Sequence, residues 1–158
     1  MGIYTKVIKP AFFKMDPENV HERVTHLGSA LGSFSVGRHV VKGLCYYQHP
    51  SLNLNVAGIN FDNPIGLAAG FDKNARLHAI LPEIGFGHAE LGSITGEPCA
   101  GNPRPRLFRL PKEKSILVNY GLYNDGAEVI SKKLANVHFK MPIGFSVAKT
   151  NDPSVGLE

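Results

Sequence analysis

Lys73 closes a run of residues with almost no side chain, Asn63-Pro-Ile-Gly-Leu-Ala-Ala-Gly-Phe-Asp-Lys-Asn74, and it is the only cation in that run. The run reads as a short buried strand over residues 65–68 that opens into a loop. Ala68, Ala69 and Gly70 leave room for a flat ligand to lie against the backbone, and an ammonium stands at the rim. A planar surface with one positive charge beside it suits an anionic aromatic cofactor or substrate. Taken without context, a loop lysine is also an ordinary solvated charge, so the strand that positions it decides between the two.

The surrounding pattern supplies that strand and others. Three apolar runs, residues 65–68, 88–93 and 143–149, alternate with helical stretches near 75–84 and 126–137. This spacing predicts a parallel sheet of the α/β class. Pro82 is expected to limit the first of these helices, and Asn124 or Asp125 to cap the second. At the carboxyl ends of the three strands stand Ala68, Ala69, Gly70 and Lys73, then Gly92, Ser93 and Thr95, then Ser146 and Lys149. Small residues, hydroxyls and amines gathered there suit a phosphorylated aromatic cofactor. Leu52, Leu54 and Val56, the turn Ala57-Gly58, and Ile59 to Phe61 predict a hairpin, and residues 107–110 with 116–118 predict another. Upstream, Ile3, Tyr4, Val7 and Ile8 fall at helical spacing. Asp16-Pro-Glu18 marks a helix start, Val20, Val24, Leu27 and Leu31 mark its apolar face, and Gly32 is a stop signal. A third helix is expected near 37–44. These helices either pack on the following domain or, with Phe12 and Phe13 flanked by Lys6, Lys9 and Lys14, face a membrane surface.

Composition narrows the class. At 158 residues, 43% hydrophobic and 19% charged, the chain is long enough to bury a core and is not of disordered composition. No run of 18 apolar residues predicts a bilayer span, and the first residues lack a secretory pattern. Cys45 and Cys99 have no metal spacing and do not make a disulfide framework, which predicts a reducing compartment and no metal site. The net charge of +4 is dispersed, without the aromatic and arginine platform of a nucleic-acid binder, so no nucleic acid is expected as a partner.

Three blocks occur in order between residues 63 and 110: the run ending in Lys73, then Gly85-Phe-Gly-His-Ala-Glu-Leu-Gly-Ser-Ile-Thr95, then Gly101-Asn-Pro-Arg-Pro-Arg-Leu-Phe-Arg-Leu110. Together they resemble the class 2, quinone-dependent dihydroorotate dehydrogenases. The resemblance implies an FMN-binding (β/α)8 TIM barrel that oxidises dihydroorotate to orotate in pyrimidine synthesis and passes electrons to a quinone. Such barrels take about 250 residues. The expectation is therefore an N-terminal helical extension for quinone and membrane access over residues 1–50, and an incomplete barrel with its first three strands over 51–158. A peripheral position on the cytoplasmic side of a membrane follows from the same resemblance.

The resemblance also implies roles, residue by residue. Ala68, Ala69, Gly70, Lys73, Ser93 and Ser146 fall at FMN-contacting positions, with Ser93 where the family usually has Thr and Ser146 where it has Asn. Lys73 also falls where the family meets the orotate carboxylate. The substrate segment departs from the family pattern Asn-Arg-x-Gly-Phe-Asn: aligned on Gly121 and Gly126, it places Val118, Asn119, Tyr120, Gly121 and Leu122 there. An amide donates and accepts at once, as a pyrimidine requires, and either Asn119 or Asn124 could supply it. His21 and Arg109 match the polar pair of the quinone site. The catalytic base, a serine of the fourth-strand loop, is expected beyond Glu158, so the chain alone is expected to turn over little. The alternatives are a soluble class 1 relative, or a non-catalytic barrel fragment or membrane-binding module.

Overall fold

The computed structural model describes residue 2 and residues 4–150. Ile3, counted above in the first helical pattern, lies outside the described residues, as do 151–158. A single turn of wide helix, Tyr4–Ile8, runs into α1 (Lys9–Phe13), followed by α2 (Pro17–Ser33) and α3 (Ser35–Cys45). Asp16 caps α2 by accepting the Asn19 amide at 2.9 Å, and Pro17 occupies the first turn, where its missing N–H costs nothing.

The predicted apolar face of α2 is packed only in part. Glu18, Thr25 and Gly32 are its buried residues, Leu31 is partly buried against the core, and Leu27 is 60% exposed. Gly28 and Gly32 lie against Leu77, Ala79 and Ile80, and a Cβ at Gly32 would meet Ala79 Cβ and Ile80 at 3.3 Å. Gly32 is thus a close-approach residue inside the helix and not its stop; the helix ends one residue later at Ser33. Val20 and Val24, roughly a quarter turn away, are left to line a cleft.

After a 3-10 turn at Pro50–Leu52, which takes Leu52 out of the expected strand, β1 (Leu54–Val56) and β2 (Ile59–Phe61) form the first hairpin. Its two turn residues, Ala57 and Gly58, both have positive φ (51° and 81°), the geometry that matches strand twist. The central sheet is parallel, in the order β3 (Gly66–Leu67), β4 (His88–Ile94), β7 (Ile143–Val147). A second hairpin, β5 (Leu107–Leu110) with β6 (Ser115–Val118), stands apart from it. The mixed α/β class is therefore as expected.

Two helices differ from expectation. The first, α4, is only Leu81–Ile84. Residues 75–80 form turns because Asp72 captures the Arg76 and Leu77 amides, and Pro82 sits in the first turn of α4, starting it instead of ending it. Gly85, at φ 107°, terminates it. The second, α5, is Ala127–Leu134, and its N-cap is Gly126 without a side-chain cap. Asn124 is spent on Thr95 and on the turn, as described below. The core lies between the sheet, α4 and α5: Ala75, Leu77, Ile80, Leu81, Leu91 and Ile130 are at most 4% exposed.

Gly87 shows how tightly the strands seat. A Cβ there would lie 2.0 Å from the Asn63 carbonyl oxygen, a backbone atom that cannot rotate away. Gly87→Ala is expected to cost about 3 kcal/mol or more, the upper end of overpacking. A urea midpoint within error of wild type would contradict that reading.

Candidate functional site

The loop after β3 is fixed from below. Asp72 is buried, and its two carboxylate oxygens accept the Arg76 amide at 2.9 Å and the Leu77 amide at 2.7 Å. Buried Asn74 accepts the Asp125 amide at 2.9 Å, and the Asn74 carbonyl accepts Lys133 Nζ at 2.7 Å. The Gly70 amide donates to the Gly92 carbonyl at 2.8 Å, and the Gly92 amide donates to the Asp72 carbonyl at 3.1 Å. These bonds satisfy the loop backbone on the protein side. What faces outward is small: Ala68 and Gly70 are exposed, and nothing lies within 4 Å of where a Gly70 Cβ would be. Gly70 has φ 101°, which L side chains rarely adopt.

The Lys73 ammonium sits 3.8 Å from the centroid of the Tyr120 ring. Arg106 stands 5.0 Å from the same ring and 4.5 Å from that of Tyr123. Burial holds the Lys73 pKa below the ordinary lysine value; Glu18 opposes the shift and Arg106 adds to it. Arg106 is itself buried, bonded to Glu18 Oε1 through Nε at 2.9 Å and Nη2 at 2.8 Å, and to the Ala100 and Asn102 carbonyls. Glu18 also pairs with Arg104 at 3.2 Å. Burial, then the Glu18 carboxylate, push the Tyr120 phenol up to about 12, so it remains a neutral hydroxyl across the physiological range. That hydroxyl is buried and has no hydrogen-bond partner among the described residues.

Above this floor opens a cleft of about 790 Å³. Ala68, Ala69, Gly70 and Lys73 form its base; Phe12, Val20, His21 and Val24 form the helical wall; Leu107, Arg109, Ile116, Val118 and Tyr120 form the hairpin wall. His21 packs edge-on against Phe71, with centroids 4.8 Å apart. Burial, then the Lys73 charge, lower its pKa, favouring the neutral imidazole. Arg109 donates to the Met15 carbonyl at 2.8 Å and stacks 4.8 Å from Phe13. His21 and Arg109 therefore face one cleft from opposite walls.

Not every candidate reaches it. Ser93 and Ser146 share a hydrogen bond of 2.8 Å at adjacent strand ends, and neither lines the cleft. Of the segment 118–122, Val118 and Tyr120 line the cleft, while Asn119, Gly121 and Leu122 do not. The Asn119 side-chain oxygen accepts Asn102 Nδ2 at 2.8 Å. Asn124 is fully committed: Oδ1 accepts the Thr95 amide at 3.3 Å and the Gly126 amide at 2.8 Å, and Nδ2 donates to Thr95 Oγ1 and the Leu122 carbonyl at 2.8 Å. Asn124 is a structural amide, which leaves Asn119 as the exposed one.

Glu18 and Arg106, which stand behind the candidate Tyr120, were missed from sequence. Glu18 reads as a helix-dipole acid, and Arg104 and Arg106 as one more pair of dispersed basic residues. The alternation Pro-Arg-Pro-Arg was the available signal, because it forces the two arginines into a fixed extended path beside α2.

A parallel α/β unit that presents a ring-sized opening over small residues, with an ammonium at its floor, defines a ligand-binding domain. The family described as "Dihydroorotate dehydrogenase" matches residues 51–155. Proteins named dihydroorotate dehydrogenase (quinone) are 39% identical in Natronomonas pharaonis, over 95% of this chain and 42% of the relative, and 40% identical in Haloarcula marismortui, over 91% and 41%. The crystal structure of the Eimeria tenella enzyme in complex with ferulenol superposes with a TM-score of 0.70 at 33% identity, covering 89% of this chain and 38% of that one. The chain belongs to the dihydroorotate dehydrogenase family. It spans about two fifths of the length of the curated relatives it matches.

Proposed function

We propose that this chain forms the cofactor floor and quinone entry of a quinone-dependent dihydroorotate dehydrogenase, an FMN enzyme that oxidises dihydroorotate to orotate in pyrimidine synthesis. The observation that carries the proposal is the single cleft joining Lys73 and the small-residue floor to His21 and Arg109. In this reading residues 51–158 are the start of a TIM barrel, and residues 1–50 are its access extension on the cytoplasmic side of a membrane.

The residues present fit a flavin. Ala68 and Gly70 leave open space where a flat ring system would lie, and beside that space Tyr120 holds a buried hydroxyl with no partner among the described residues. When bound, FMN would accept hydride from dihydroorotate and return the electrons to quinone. The chain's own groups set the conditions for both half-reactions. Lys73 places positive charge where anionic substrate and cofactor meet, in a partly desolvated setting that strengthens the attraction. Asn119 offers an exposed amide near the substrate segment, and Gly121 and Leu122, both at positive φ, turn the chain there. Ser93 and Ser146 lie on the next two strands, as neutral hydroxyls that hold each other. On the quinone side, neutral His21 and cationic Arg109 are the polar groups between apolar walls, suited to the two carbonyls of a quinone. None of these groups is assigned as the base that removes the substrate proton.

The helical wall favours a quinone over a soluble acceptor, because Phe12, Val20 and Val24 would otherwise line the cleft without an apolar occupant. A titration followed by flavin fluorescence tests the cofactor assignment. The chain is expected to bind FMN, and Gly70→Val to bind it at least 10-fold more weakly, by filling the floor and straining a left-handed residue. No uptake of FMN by the wild-type chain, or equal uptake by the variant, would count against it.

A further inference from the structure

Beside the cleft lies a second groove of about 720 Å³, between α1 and the turn of the second hairpin. Three cations line it: Lys9 from α1, Arg109 from β5, and Lys114 from the hairpin turn. Among the described residues no carboxylate lines it, and none of the three forms an ion pair. Glu113 stands in the same turn but outside the lining. Lys9 and Arg109 both approach the ring of Phe13, at 5.2 and 4.8 Å, so one aromatic ring holds two of the charges. The rim is apolar and uncovered, with Tyr4 56% and Ile116 61% exposed.

Like charges lining one groove without an acid raise the local concentration of anions. The apolar rim says which kind. Tyr4, Arg109 and Ile116 line both this groove and the larger cleft, so an anion seated on the cations has a continuous apolar surface beside it. A free anion would leave that surface in water, whereas a phospholipid would cover it with acyl chain. We propose that this groove binds the phosphate headgroup of an anionic phospholipid of the bilayer, through Lys9 and Lys114, with the Arg109 charge alongside. The headgroup would fix how the chain sits on the membrane and hold the mouth of the cleft against the acyl layer. This rests on the membrane-surface reading above and adds a defined anionic contact to it.

Vesicle flotation of the whole chain tests it, comparing phosphatidylcholine with equal parts phosphatidylcholine and phosphatidylglycerol. The double variant Lys9→Gln/Lys114→Gln leaves Arg109 in place, and Lys132→Gln on α5 serves as a charge control. Wild type is expected to prefer the anionic vesicles. The double variant is expected to lose roughly 30-fold of that partitioning, from about 1 kcal/mol per lysine near the surface. Lys132→Gln is expected to change it less than about twofold, its side chain being engaged with Glu128. Equal wild-type binding to both vesicles would overturn the headgroup site and leave the membrane-surface reading standing. Binding to neither would overturn both. An equal loss in the control variant would replace the site with diffuse charge, and displacement by inorganic phosphate at constant ionic strength would identify a free anion as the ligand.

Discussion

Lys73→Met is expected to weaken orotate binding by roughly 10- to 100-fold while leaving the melting temperature within a few degrees of wild type. The ammonium has no carboxylate partner among the described residues; its near neighbour is the Tyr120 ring at 3.8 Å. Folding therefore loses about 1–2 kcal/mol from the ring contact. An anionic ligand loses a charge-assisted bond of about 1.5–3 kcal/mol. Methionine keeps the length of the side chain and removes only the charge. The pH dependence has a definite sign. The folded-state pKa is lowered by burial, so folding favours the neutral amine. The lysine therefore opposes stability at pH values where it is charged, and that opposition fades as pH rises through its folded value. Orotate affinity should move the other way, falling on the alkaline side before the ordinary lysine value is reached. Calorimetric titration of orotate against pH measures both. Undiminished binding by Lys73→Met would remove the residue from the site, and a collapsed melting temperature would make it a structural lysine.

Glu18→Ala is expected to be the most damaging substitution in the helical extension. Glu18 and Arg106 are 3% and 5% exposed; Glu18 Oε1 accepts from Arg106 Nε and makes ion-pair contacts with Arg106 Nη2 and Arg104 Nε. Removing one member of a buried pair leaves the other charged and unpaired, at a cost of about 3–5 kcal/mol. For a chain of this size that corresponds to a drop of roughly 10 °C in melting temperature. Arg106 also lies between Tyr120 and Tyr123, so the loss should reach the Lys73 floor. Glu18→Gln keeps one acceptor and is expected to fall between alanine and wild type. A thermal midpoint for Glu18→Ala within about 2 °C of wild type would show that the pair contributes little and that α2 is held elsewhere.

Much of the fold was legible because its signals are local. The Asp16 cap, the Ala57-Gly58 turn and the two hairpins each depend on residues a few positions apart. The three parallel strands followed from alternation of apolar runs with helical stretches. The misread positions have a common cause. Gly32 looked like a stop because its partner, Ile80, is distant in sequence. The turns at 75–80 looked helical because the competing acceptor, Asp72, lies just outside the pattern. Asn124 looked available until Thr95 engaged it.

The sequence by itself determined the site's ingredients: a floor too small to block a ring, one ammonium at its rim, and a histidine and an arginine flanked by apolar residues. Tertiary structure alone decided which of them share a cavity. It set Lys73 over Tyr120, clamped Arg106 with a carboxylate 88 positions away, and turned Ser93 and Ser146 toward each other. Backbone rules act over a turn or a strand. Burial and charge act through space, between segments that meet only once the chain has closed.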